Sequence, residues 1–229
     1  MVIFGGCPNS GDSVHQGDLD KQKGVYHLNL VDEVTQVEIM TAAENISEYY
    51  LIPALTDALK QFPFIVINFH SDNGSEYINR TVSRLLNKLM ISQTKSRPRH
   101  SNDNGLVEGK NAAVVRKYLG HGHIPKRYAK LINEFYKQYL NPFVNYHRFC
   151  AFPVEKIDNK GKLRKIYPQD NYQTPIQKLL SLPGVEEYLT SGLTVDSLRQ
   201  TIRETEHVKA AETVMEARKK LFSQINNRP

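Results

Sequence analysis

The sequence predicts an α/β protein with a mainly helical C-terminal part, on three observations. Phe64-Ile65-Val66-Ile67-Asn68-Phe69 is a nearly continuous apolar run punctuated by Asn73 and Gly74. It reads as a strand buried on both faces, as in α/β sheets. Ile78, Val82, Leu85, Leu86 and Leu89 then recur at helical spacing, and the helix they predict packs back on the sheet. Beyond Phe149 the pattern changes to one hairpin signal and long helical stretches.

Met1 to Gly11, MVIFGGCPNSG, holds Gly5, Gly6, Pro8 and Gly11, which are poor strand residues. It reads as an irregular remnant of a truncated or rearranged start. Ser13 to Gln16 is the stub of a strand, and Gly17 to Gly24 a polar turn. Val25 to Val31 alternates, with Val25, His27, Asn29 and Val31 on one side and Tyr26, Leu28 and Leu30 opposite, so it reads as a strand. Asp32 ends it as a turn acid before the next strand, Val37 to Ala42.

Ile46 to Phe62 is an amphipathic helix with Ser47 near its start and Leu51, Leu55 and Leu59 along one stripe. Pro53 fits only in its first turns. After the Phe64 run, Asp72 stands at the carboxyl end of a strand, where open α/β sheets bind ligands, and Ser75 caps the helix that follows. Ile91 to Ser96 is a short strand, followed by a loop rich in Pro, Asn and Gly. Asn104 or Gly105 opens a further helix with Glu108 in its first turn, where the helix dipole favours an anion. Asp72 and Glu108 can therefore converge although 35 residues lie between them.

Pro125 begins a longer helical region, Ala129 to Tyr146, interrupted near Pro142, with Leu131, Phe135, Tyr139 and Leu140 as core residues. Asp158 to Lys162 is a polar turn between two apolar pieces, compatible with a hairpin. Thr174 to Tyr188 and Asp196 to Ile225 read as helices. His121-Gly122-His123 lacks partners at zinc spacing and reads as a turn; His147 and Cys150 likewise read as packing or surface residues.

At 229 residues the chain can bury a sizeable core, as one domain plus an appendage. No apolar run reaches membrane-spanning length. The two cysteines, Cys7 and Cys150, form neither a metal pattern nor a disulfide framework, so a reducing, cytoplasmic setting is expected. The net charge is +6 and the pI about 9.2, which points to a polyanionic partner. Residues 91–130 carry nine Lys or Arg against Asp103 and Glu108, a local excess of +7 that brackets the candidate acid.

The segments FHSDNGSEY, around Asp72, and RPRHSNDNGLVEGKN, around Glu108, at this separation resemble the DDE transposase and retroviral integrase family. The similarity is greatest to bacterial insertion-sequence transposases with an integrase-type catalytic core. It runs from Asp12 to about Pro153, with DSVHQGD supplying Asp12 as counterpart of the third acid, which the family carries on its first strand. The resemblance implies an RNase H-like core, a mixed central sheet flanked by helices, over residues 12–153. Residues 1–11 would precede it and a mostly helical appendage, 154–229, would follow.

It implies catalysis by an Asp-Asp-Glu triad, Asp12, Asp72 and Glu108, holding two Mg²⁺ or Mn²⁺ ions. Asp12 would bridge both and the other acids would each hold one, as suits hard cations that take carboxylate oxygens. Water would release a 3′-hydroxyl at an element end, and that hydroxyl would join target DNA without a covalent protein intermediate. The loop after Lys95 and the following helix would face DNA, with Arg97, Arg99, His100, Lys110, Asn111, Arg116 and Lys117 beside Lys95 at phosphates. A homo-multimer is expected, with neither a membrane nor a small-molecule cofactor involved. The competing expectation is an inactive remnant that only binds DNA or partner subunits; a plain RNase H-like nuclease is the weaker third.

Overall fold

The computed structural model describes residues 2–5, 18–19, 22–71, 76–95, 105–159 and 161–226. Val2–Gly5 forms strand β1, and Asp18–Leu19 (β2) pairs with Gln22–Lys23 (β3) in a small separate hairpin. Tyr26–Asp32 (β4), Glu38–Ala43 (β5), Asn68–Ser71 (β6) and Ser92–Lys95 (β7) complete a five-stranded sheet with β1. Its order is β5-β4-β1-β6-β7. β1 runs antiparallel to β4 and parallel to β6; β4 and β5 are antiparallel, β6 and β7 parallel.

The N-terminal segment therefore departs from its reading as an irregular remnant: its first residues form the central strand. Val2, Ile3 and Phe4 have strand-forming side chains, and the glycines and proline expected to break a strand come at its last position or after it. The stub expected at Ser13 to Gln16 lies outside the described residues.

β4 and β5 form a hairpin whose positions are all buried. Asp32 makes the turn, its Oδ2 accepting from Thr35 N at 2.8 Å and Thr35 Oγ1 at 2.7 Å, while Gln36 takes a positive φ of 57°. Such local side-chain bonds are what Asp offers a turn. Leu28, Leu30, Ile39 and Ala43 face one core, and Met40 and Ala42 the other. Alternation thus sorts β5 between two cores rather than between core and water.

The first core is closed by helices Glu48–Lys60 (α1) and Glu76–Lys88 (α2), through Leu51, Leu55, Ala58, Val82, Leu85 and Leu86. Two expectations fail here. Of the apolar run only Asn68 and Phe69 fall in the strand, whereas Ile65 and Ile67 are 55% and 58% exposed. Val2, where β1 starts among the described residues, pairs with Phe69; of the earlier residues, Ile67 O accepts from Ser92 N of β7 at 3.0 Å and Ile65 N bonds Tyr188 O at 2.8 Å. Leu89 follows the helix end and is 41% exposed.

The second core lies under two long helical rods. Gly105–Lys110 (α3) continues through a π-helical stretch, Asn111–Arg116, into Lys117–Leu119 (α4). After a turn, a 3₁₀ segment leads into Ala129–Phe135 (α5), a π stretch Tyr136–Leu140, and Asn141–Tyr146 (α6). The interruption expected at Pro142 is thus a widened turn, not a break. A π stretch before a proline accommodates the missing N–H and the ring without ending the helix.

This second rod lies along the outer edge of β5, and three of its asparagines satisfy that edge. Asn133 accepts from Ala42 N at 2.6 Å and donates to Ala42 O at 2.8 Å. Asn141 does the same to Met40 at 3.0 and 3.1 Å, and Asn145 to Glu38 at 2.8 and 2.8 Å. Each carboxamide presents an acceptor and a donor, as another strand's backbone would. Asn141 also donates to Gln61 Oε1 at 2.9 Å.

The segments beyond 153 contribute to both cores. Cys150–Ala151 (β8) pairs with Tyr172–Gln173 (β11), and between them Val154–Ile157 (β9) pairs with Leu163–Ile166 (β10) as the expected hairpin. Pro175–Leu180 (α7) and Val195–Glu204 (α8) start in capping boxes at Thr174 and Thr194, and join the first core through Ile176, Leu179 and Leu198. His207–Asn226 (α9) joins the second through Val214 and Leu221. The helix read from Asp196 to Ile225 is therefore two, separated where Thr205 turns extended.

Asn141→Ala leaves the N–H and C=O of Met40 without their partner, at about 1–3 kcal/mol for each buried group left unsatisfied. The expected thermal-unfolding result is a Tm lowered by roughly 2–4 °C per kcal/mol, with Leu89→Ala as a near-neutral control. Equal melting of Asn141→Ala and the parent chain would show that this edge is not held by the asparagines.

Candidate active site

The sheet order sets the strand that precedes Asp72 and the helix that carries Glu108 against the same central strand, β1. β6 ends at Ser71, which pairs with Phe4 on the central strand and with Lys95 on β7; Asp72 is the next residue. The helix carrying Glu108 packs on β1 and β4. Leu106 lies against Val31, and Asn111 Oδ1 accepts from Asn29 Nδ2 at 3.0 Å. The backbone of residue 108 is thus held between two anchors on the sheet. Asp12 and Asp72 lie outside the described residues, as do Arg97, Arg99 and His100.

The expected DNA-facing residues divide. Lys117 is exposed, its amine 5.6 Å from the centre of the Tyr118 ring, and Arg116 is half-buried. Lys95 ends β7, at the sheet's edge. Lys110 and Asn111 correct the expectation: they are 6% and 4% exposed and point into the protein. Their place in the helix turns them toward β4 and β5, where polar partners wait.

Those partners centre on Glu38, which sequence reasoning missed. Asn29 Nδ2 donates to Glu38 Oε1 at 2.9 Å, Arg148 Nη1 lies 3.5 Å from Oε2, and Lys110 Nζ lies 4.0 Å from it. Lys110 also donates to Cys150 Sγ at 3.0 Å. A buried carboxylate is tolerated only with such partners. The signal was present: a Glu at an inward-alternating position of the apolar strand Val37-Glu38-Ile39-Met40 requires an interior cation.

Among the described residues, no three His, Cys, Asp or Glu side chains stand close enough to hold a metal ion. His121 and His123 follow Gly120, whose φ of 78° makes the expected turn. His147 Nδ1 is 3.2 Å from His207 Nδ1, and burial and that neighbour hold the His147 pKa below its usual value. A mostly apolar hollow of about 260 Å³, lined by Val2, Val34, Ile65, Ile67 and Tyr188 among others, opens at the starts of β1 and β6. It lies at the opposite end of these strands from Ser71. No described helix is long and apolar enough to cross a membrane.

No protein-family model matches the chain. It is 35% identical over 74 residues to the uncharacterized protein y4rM of Sinorhizobium fredii, a match covering 32% of this chain and 21% of that protein. The chain thus spans about a fifth of that relative's length. Among solved structures it is similar to a chain of the simian T-cell lymphotropic virus intasome in complex with PP2A regulatory subunit B56 gamma. That similarity has a TM-score of 0.40 at 18% identity, over 57% of this chain and 42% of that one. The catalytic core domain of BIV integrase is similar with a TM-score of 0.37 at 15% identity, over 56% and 78%.

Burial raises the Glu38 pKa above its ordinary 4.5, against the opposing pull of Lys110, Asn29 and Arg148. A carboxyl raised in the folded state contributes stability that is complete below its unfolded pKa and is lost as pH rises through the folded value. Melting temperatures taken upward from pH 4.5 should therefore include a falling component that Glu38→Gln removes. An unchanged pH slope in the variant would show that Glu38 ionises in the fold without penalty.

Proposed function

We propose that the chain is the catalytic core of a DNA transposase of the integrase kind, with an RNase H-like fold, cutting and joining element ends as a multimer. The observation that carries this is the sheet arrangement: a mixed sheet with helices on both faces, β6 ending beside the central strand one residue before Asp72, and Glu108's helix laid across β1 and β4. It supports what HSDNG and RPRHSNDNGLVEGKN imply by resemblance, in a bacterial insertion-sequence setting.

Asp12, Asp72 and Glu108 are the proposed catalytic carboxylates. Three carboxylates are a donor set suited to Mg²⁺ or Mn²⁺. When bound, such ions supply charge stabilisation at the attacking and leaving oxygens of a phosphodiester. The anchors at Leu106 in α3 and at Asn111 just after it fix the backbone that presents Glu108. Lys95, Arg97, Arg99, His100, Arg116 and Lys117 are the proposed phosphate contacts, while Lys110 and Asn111 hold the helix in place. A second reading, a chain that binds DNA without cutting it, is favoured by one feature: β1 is Val-Ile-Phe-Gly and carries no acid, whereas the family places its first acid on that strand.

Nicking and joining of labelled element-end DNA in Mg²⁺ or Mn²⁺ separates the two. Under the first reading products form, require the metal, and fall to background in Asp72→Asn and in Glu108→Gln with unchanged folding by circular dichroism. Full activity in either variant would remove the triad assignment. Salt-sensitive DNA binding with no products from the parent chain would establish the second reading.

A further inference from the structure

The hairpin of β9 and β10 stands outside the packing of the fold. All eight of its strand residues are exposed, and none of them belongs to either core. A two-stranded hairpin is marginally stable by itself in water, so a ribbon held clear of the body calls for a partner. Residues 154–166 carry Lys156, Lys160, Lys162, Arg164 and Lys165 against Glu155 and Asp158, a local charge of +3.

The register sorts these side chains. Arg164 stands opposite Lys156, and Ile166 opposite Val154; these four share one face, as alternation requires. That face borders a hollow of about 390 Å³ lined by Lys156, Arg164 and Ile166 with Ile157, Asp158 and Asn159. Asp158 Oδ2 accepts from Arg164 Nε at 2.7 Å and Asp158 Oδ1 from Lys162 N at 3.0 Å, which orients the guanidinium and closes the turn. The face therefore combines two cations with two aliphatic side chains.

The ribbon is rooted in the body of the fold, on the turn between β4 and β5 and on Lys110. At its base β8 is fixed by Gln36 Nε2, which donates to Ala151 O at 2.8 Å, and by the bond to Cys150 from Lys110, two residues beyond Glu108. Asn171 Nδ2 donates to Phe152 O at 2.9 Å from the other side.

We infer that the hairpin of residues 154–166 is a duplex-DNA-binding arm, its Lys156 and Arg164 face seated on phosphates at the major groove. This rests on the proposed function and adds to it a surface outside the loop and helix already assigned to DNA. A two-stranded ribbon fits the major groove, and a local charge of +3 is complementary to phosphate. The same net charge disfavours close approach of two ribbons from two copies.

The test uses the full chain and a short labelled duplex of arbitrary sequence, with binding followed by fluorescence anisotropy between about 50 and 200 mM salt. The variant is Lys156→Gln with Arg164→Gln; both are exposed, so little stability change is expected. Withdrawing one cation from a phosphate lowers the slope of log K against log salt by about 1, so a slope shallower by about 1 to 2 and weaker binding are expected. Lys117→Gln, on the surface already assigned, reports the proposed function separately. If Lys117→Gln weakens binding while the hairpin variant binds with the parent's affinity and slope, the arm is overturned and the proposed function stands. If the parent chain binds no duplex, both are overturned. A parent chain that sediments as a dimer and a hairpin variant that sediments as a monomer, with equal DNA binding, would overturn the arm and assign the ribbon to a second copy instead.

Discussion

The unpaired edge of β5 is the constraint on which the second half of the molecule depends. A strand that ends a sheet leaves a row of N–H and C=O groups that must be bonded or wetted. Here Asn133, Asn141 and Asn145 supply donor and acceptor together to Ala42, Met40 and Glu38. Burying that edge under a helix becomes possible only because three carboxamides recur along one face of the rod. The rod then has one axial position relative to the sheet, and α9 has a surface on which to pack.

A second polar contact fixes the other rod. Lys110 and Asn111 meet Glu38 and Asn29 inside the protein, and buried ionic groups of this kind fit one geometry better than they add net stability. Glu38 belongs to both systems: its backbone bonds Asn145 and its carboxylate faces Lys110 and Arg148. The edge seal and the placement of Glu108's helix therefore meet at one residue. Cys150, bonded by Lys110, extends the same system to the base of the β9–β10 ribbon.

The basic stretch 91–130 shows how charge alone misleads. Its excess of cations was legible, but its members do different work. Lys117 lies at the surface, whereas Lys110 neutralises an interior acid. Counting could not separate them, because a lysine stem reaches either way and the partner, Glu38, is remote in sequence.

What the amino-acid sequence determined by itself was local. Periodicity placed β4, α1 and α2; Asp32 as a turn acid and the Asp158 to Lys162 hairpin turn followed from side-chain chemistry within a few residues. The motifs around Asp72 and Glu108, with the spacing between them, name a candidate site by resemblance. Tertiary structure alone decided the rest, because it depends on what lies alongside. Val2 to Gly5 becomes the central strand since β4 and β6 flank it, and Ile65 and Ile67 stay exposed since β1, among the described residues, reaches back only to Phe69. Pro142 is carried within a helix because a π stretch precedes it, and Lys110 turns inward because Glu38 is there. Local pattern reports what a segment can form, and only its neighbours supply the partners that select one outcome.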